Sequence, residues 1–168
     1  DPKVSAFWNG RCWTLILANR PLQARADCEQ ALRLDEKNWA ARVNLGHTWL
    51  LQGDKEAAQE HYRDTVWRIP SEAALGEGPL ADFDVFIQRG WRTEEARQAR
   101  QWFEQAWPKW QRVKALTAED IRLSNAGKAS QALVPSAEAA KLAEEVLGPE
   151  HPETGNRLNN LAEVYYAM

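Results

Sequence analysis

The chain has 168 residues, 44% of them hydrophobic and 27% charged, with a net charge of −3 at pH 7. That suffices for a packed core, while no run is long and apolar enough to cross a bilayer and no cluster of Lys and Arg forms the basic patch of a nucleic-acid surface. Two cysteines make no disulfide framework, and the cytoplasm is the expected compartment.

Asp1-Pro2 reads as the tail of an upstream helix pair, so the chain is expected to come from a longer array whose cut ends fray or self-associate. From Ser5 onward apolar residues recur at helical spacing, and one helix pair repeats the next at a period of about 34 residues. Trp8, Leu15, Asn19, Ala24 and Cys28 return as Arg42, Trp49, Gly53, Ala58 and Tyr62.

In the second pair Leu45, Gly46 and Trp49 mark one helix face, and Ala58, Tyr62 and Val66 mark a facing stripe. Gly46 and Ala58 are small where antiparallel helices approach closely. Gly53 suits the left-handed end of the first helix, and Pro70 stops the second. Cys12 and Cys28 fall on the positions of Gly46 and Tyr62, which turns both toward a helix–helix interface. Buried, inert thiols are expected there; a disulfide needs side-chain vectors that spacing alone does not provide.

Beyond Pro70 the period slips, and Leu75, Gly76, Gly78 and Pro79 suggest an inserted loop. A helical stripe of Phe83, Phe86 and Ile87 follows and ends near Gly90. Asp82 and Asp84 stand two apart and so do not share a helix face, which makes them solvated surface charges. Thr93-Glu94-Glu95 starts a helix whose seam runs through Ala96, Ala99, Phe103, Ala106, Trp110 and Val113. Pro108 inside that seam predicts a kink or break near Trp107, and Thr117 to Asp120 should cap another helix. Gly127-Lys128 marks a turn before Ala132 and Ala139, with Pro135 interrupting the helix they imply. The last segment joins Leu147-Gly148-Pro149-Glu150-His151-Pro152 to Leu158-Asn159-Asn160-Leu161-Ala162 and Tyr165.

The order Leu45-Gly46, Trp49, Gly53, Ala58, Tyr62, Pro70 closely resembles a tetratricopeptide (TPR) repeat, with Arg42 in place of the opening aromatic. The final segment resembles the kinesin-light-chain type of TPR, in which an LGxxHP linker precedes an LNNLAxxY helix. The resemblance implies an all-α fold, a right-handed superhelical array of antiparallel helix pairs. It implies one solenoid domain over residues 1–168, with repeats at about 5–38, 39–72, 80–115 and 116–148 and a partial one at 152–168.

In TPR folds the first helix of each repeat lines a concave groove. The resemblance therefore implies peptide contacts from Asn9, Trp13, Asn44, His47, Asn156, Asn159, Asn160 and Glu163. Asparagine offers a peptide backbone both a donor and an acceptor; the same residues also fit plain solvated helix faces. Asn44 matches one asparagine of the carboxylate clamp of chaperone-binding TPR proteins, but Asn9, Ala81 and Val85 stand where its basic residues belong, which argues against that activity.

No HExxH, GxSxG, phosphate-binding glycine loop or CxxC occurs, and His47, His61 and His151 lie on separate elements. Neither catalysis nor a metal or cofactor is expected. The expected function is a scaffold or adaptor that binds a protein or peptide, with no nucleic-acid or membrane partner. The alternative is a regulatory or sensor region of a larger multidomain enzyme, because arrays with the LGxxHP repeat resemble those fused to effectors such as caspase-like proteases.

Overall fold

The apolar stripes of the first two repeats close into two helix pairs, α1 (Ser5–Leu17) with α2 (Pro21–Leu34) and α3 (Trp39–Gln52) with α4 (Lys55–Val66). They are seen in a computed structural model that describes every residue but Pro2, so the repeat tail expected at Asp1-Pro2 turns on a residue outside the described ones. Helices and turns make up the fold, and no strand occurs among the described residues.

The turns form where the sequence supplies residues that tolerate positive φ. Gly53 lies at φ 88° after α3, and Asn19, its counterpart after α1, lies at φ 56°. Asparagine is among the few non-glycine residues that adopt this region readily. Helix starts are capped by side chains: Asn38 Oδ1 accepts from the Ala41 N–H at 3.0 Å, and Asp54 Oδ1 from the Ala57 N–H at 3.0 Å. Asn38 also donates to Ser5 Oγ at 2.8 Å, and that hydroxyl donates to the Ala31 carbonyl at 2.8 Å. One asparagine thus joins the start of α3 to both helices of the preceding pair.

Within α3 and α4 the approach is close enough that a Cβ at Gly46 would come within 2.5 Å of the Tyr62 ring. The matching positions of the first pair carry Cys12 and Cys28, which form a disulfide with Cα atoms 5.3 Å apart. This corrects the expectation of free thiols. The same helix spacing that admits a ring over a glycine brings two cysteine side chains within bonding distance.

After α4 the chain forms a short helix, α5 (Glu72–Leu75), a π-helical turn over Gly76–Leu80, α6 (Ala81–Gln88) and α7 (Thr93–Asn125). The expected loop is thus largely helical, broken at Gly78, whose φ −98° and ψ −110° lie outside any helix. The described chain forms two compact units, Asp1–Phe103 and Glu104–Met168. In the first, α6 adds Phe83 and Phe86 to an aromatic core with His47, Tyr62 and Phe103. His47 meets both Phe83 and Phe86 edge to face at 5.0 Å, and Tyr62 meets Phe103 at 5.2 Å.

Three expectations about the second half are corrected. α7 runs through Pro108 without a break. An interior proline removes one hydrogen bond and costs about 3 kcal/mol in an isolated helix, but buried Phe103, Ala106, Trp110, Val113 and Leu116 anchor this one on both sides. Thr117 starts no helix: it is buried inside α7, and its hydroxyl donates to the Val113 carbonyl at 2.8 Å, four residues back. Pro135 likewise lies within an unbroken α8 (Ala129–Leu147), and α9 (Pro152–Tyr166) follows.

In the second unit Leu123, Ala132 and Val164 bring α7, α8 and α9 into one core. Arg157 of α9 pairs with Glu153 at 2.9 Å and donates to the buried Thr117 hydroxyl at 3.0 Å. Lys109–Glu145 and Arg112–Glu138 ion pairs tie α7 to α8 at the surface.

Candidate functional site

The first unit contains a cavity of about 220 Å³ between α1, α3 and the segment leading into α6. Asn9, Gly10 and Trp13 line it from α1, and Trp39, Ala40, Val43 and Asn44 from α3. Gly78, Pro79 and Asp82 close the remaining side. The period-matched face of α1 and α3 therefore brings together three of the residues expected to contact a peptide: Asn9, Trp13 and Asn44. Asn44 Nδ2 donates to Asn9 Oδ1 at 2.9 Å. That bond orients the two amides so that the Asn44 carbonyl and the Asn9 amino group remain available, one acceptor and one donor.

The aromatic walls are held from behind. Trp13 lies 6.3 Å from Phe86. Trp39 lies against Gly78 so closely that a Cβ there would sit 3.2 Å from the indole. A residue without a side chain at the break in the π-helical turn is what lets backbone and ring meet.

His47 is not on the groove surface. It is 0% exposed, covered by α6, and its two ring nitrogens are both engaged. Nδ1 lies 2.9 Å from the Tyr62 hydroxyl and Nε2 lies 3.2 Å from Asp82 Oδ2. Burial, with a smaller contribution from the nearby Asp82 charge, raises the Tyr62 pKa well above its ordinary range. The phenol therefore stays protonated and donates to Nδ1, which leaves the Nε2–H to donate to the carboxylate. A hydroxyl–imidazole–carboxylate chain of this kind resembles a catalytic relay in outline, but a 1%-exposed phenol held protonated is a poor nucleophile. Its effect is to orient Asp82, whose side chain keeps 17% of its surface exposed.

Asp82 is the residue that sequence reasoning missed. It was expected to be a solvated surface charge, and Asp84 does face outward, paired with Arg100 at 3.0 Å. Asp82 instead bonds a buried imidazole and lines the cavity. Its position beside α1 and α3 follows from the turn at Gly78, and no local spacing reports it.

The other expected contacts lie in the second unit. Asn160 and Glu163 of α9 line a polar cavity of about 410 Å³ with Asp120, Ile121, Ser124 and Asn125 of α7. Asn156 is exposed beside it in sequence, donating to Glu153 at 3.2 Å, and Asn159 is exposed on the same helix. Leu158 and Tyr165 of α9 also stand exposed. The remaining histidines take separate partners: His61 stacks on Trp49 at 6.3 Å, and His151 Nδ1 caps α9 by accepting the Glu153 N–H at 3.1 Å.

Two family models described as tetratricopeptide repeat match the chain, at residues 15–66 and 121–153, together about half its length. No curated protein and no solved structure matches it. The first match ends with α4, and the second runs from the end of α7 through α8 into the Gly148–Pro152 linker. Repeats of this kind generally mediate protein–protein interactions. With two helix pairs repeating the same landmarks, left-handed turns at matching positions and both family matches falling on helix–turn–helix segments, the chain is a tetratricopeptide-repeat protein.

Proposed function

We propose that the chain is a non-catalytic interaction module that holds an extended peptide segment of a partner protein. The carrying observation is the Asn9–Asn44 pair, which offers an unsatisfied acceptor and donor side by side in an aromatic-walled cavity. An extended backbone presents both carbonyls and N–H groups, so two amides that offer one acceptor and one donor can hold it without reading its side chains. Trp13 supplies apolar contact, and His47 acts from beneath by fixing Asp82. In the second unit Asn160 and Glu163, with exposed Asn156 and Asn159 on the same helix, offer a further set of polar contacts of the same kind.

We assign the C-terminal segment to a repeat of the kinesin-light-chain type. Gly148, at φ 94°, and the His151 cap give the LGPEHP linker its turn before α9. On this reading the span of α7 covers both the second helix of the 80–115 repeat and the first helix of the 116–148 repeat.

Affinity capture from native extract with the wild-type chain and the Asn44→Ala/Asn160→Ala variant, read by mass spectrometry, tests the module. A partner retained by the wild type and lost with a variant of unchanged melting temperature supports groove binding. Equal capture by both, or no capture by either, removes it.

A further inference from the structure

The cavity in the first unit has more chemistry than backbone recognition needs. At about 220 Å³ it is smaller than the roughly 300–1,000 Å³ of drug-sized ligand sites, so it has room for a single side chain. Two indoles wall it, and among the described residues the one charged side chain lining it is the carboxylate of Asp82. Among the described residues no lysine or arginine forms an ion pair with that carboxylate. The cations nearby in sequence are committed elsewhere: Arg89 donates to the Leu17 carbonyl and Arg100 pairs with Asp84.

We propose that this cavity is a specificity pocket for a basic side chain, arginine above all, of the partner peptide; the proposal rests on the groove reading given above. Asp82 Oδ2 is engaged by His47, which pins the carboxylate, and the side chain lines the cavity with 17% of its surface exposed. The free Asn44 Oδ1 is a second acceptor lining the same cavity, from α3. A guanidinium has donors for both oxygens and a flat face for an indole, whereas an ammonium is a point charge that needs no wall. A planar cation against Trp13 and Trp39, held at its edge by Asp82 and Asn44, fits every lining group. A neutral or acidic side chain leaves the carboxylate unmatched in a partly enclosed site, which amounts to selection against such peptides.

The test uses acetylated, amidated Ala-Arg-Ala and its citrulline counterpart, which has nearly the same shape without the charge. Binding is followed by NMR through the indole N–H signals of Trp13 and Trp39 and the side-chain amides of Asn9 and Asn44. The arginine peptide should move all four signals and bind the wild-type chain about tenfold more tightly than the citrulline peptide, the effect of one charge-assisted hydrogen bond. Asp82→Asn should bring the two peptides to equal affinity. Equal affinity for the wild-type chain overturns the proposal without recourse to the variant. A neutral Ala-Ser hexapeptide separates the two readings. If it moves the Asn9 and Asn44 amides while arginine gains nothing over citrulline, the groove stands and the pocket falls; if no peptide moves any signal, both fall.

Discussion

Cys12 and Cys28 stand in the first helix pair where Gly46 and Tyr62 stand in the second, one repeat period apart, and the two pairs close the same gap by different means. In α3 and α4 an aromatic ring lies over a bare Cα; in α1 and α2 a covalent bond spans the space. The substitution is structurally conservative because a disulfide requires only that the two backbones come as near as a ring over glycine already brings them. Both cysteines are wholly buried, so the bond is shielded from solvent.

Reduction should therefore weaken the first helix pair specifically. The bond spans a sequence separation of 16 residues, a loop whose closure stabilises by about 3 kcal/mol in the chain-entropy account. Cys12→Ala/Cys28→Ala should lower the urea midpoint and release α1 and α2 in hydrogen exchange before α3 and α4. Alkylation of freshly extracted protein should find no free thiol. A closed bond is at odds with the expected cytoplasmic compartment, where thiols are kept reduced, and the alkylation result reports on both.

Gly46→Ala should destabilise the second pair by about 1–3 kcal/mol, as overpacking does. The added methyl would lie 2.5 Å from Tyr62 Cε1, and that ring cannot swing aside without breaking its bond to His47. Tyr62→Phe keeps the ring in place but leaves the buried His47 Nδ1 without its donor, and should cost about 1–3 kcal/mol as well. Equal melting temperatures for Gly46→Ala and wild type would show that the helices separate freely.

Stability should fall as the solution is acidified through the ordinary histidine range. Burial lowers the pKa of His61 below its usual 6.5, with Arg42 and Arg25 adding to the effect and Asp64 and Glu60 opposing it. The unfolded chain then takes up a proton near pH 6.5 that the folded chain still refuses, so the stability present above that pH is lost below it. Denaturant midpoints at about pH 7.5 and about pH 5.5 should differ for the wild type, and His61→Gln should narrow the difference. Arg25, one of the two arginines that disfavour a charged imidazole there, stacks 3.3 Å from the centroid of the Trp49 ring, and His61 stacks against that same indole.

What was legible in the sequence is local or periodic. Gly53 and Asn19 announce their turns because positive φ is a residue-level property, and Gly46 announces close approach because it has no side chain. Asn9, Trp13 and Asn44 could be grouped because one repeat places matching faces of α1 and α3 together. Asp82 and Trp39 could not, since their meeting depends on a backbone break at Gly78 that belongs to no period. The continuity of α7 through Pro108 was hidden for a related reason: the penalty of proline is written in one residue, while the burial that offsets it is spread over the whole helix. His47 was misplaced because its face is outward within its own repeat and is covered only once α6 arrives.

In a chain of stacked units, each can in principle come undone at the end without disturbing the next. Asn38 works against that here. Its carbonyl oxygen completes the first turn of α3 while its amino group is tied through Ser5 to the last turn of α2, so peeling α1 away also pulls on the residue that starts the second repeat. Separation of the first helix pair is thereby coupled to the start of the second, and the cavity that α1 and α3 line together is bounded by helices tied through that one side chain.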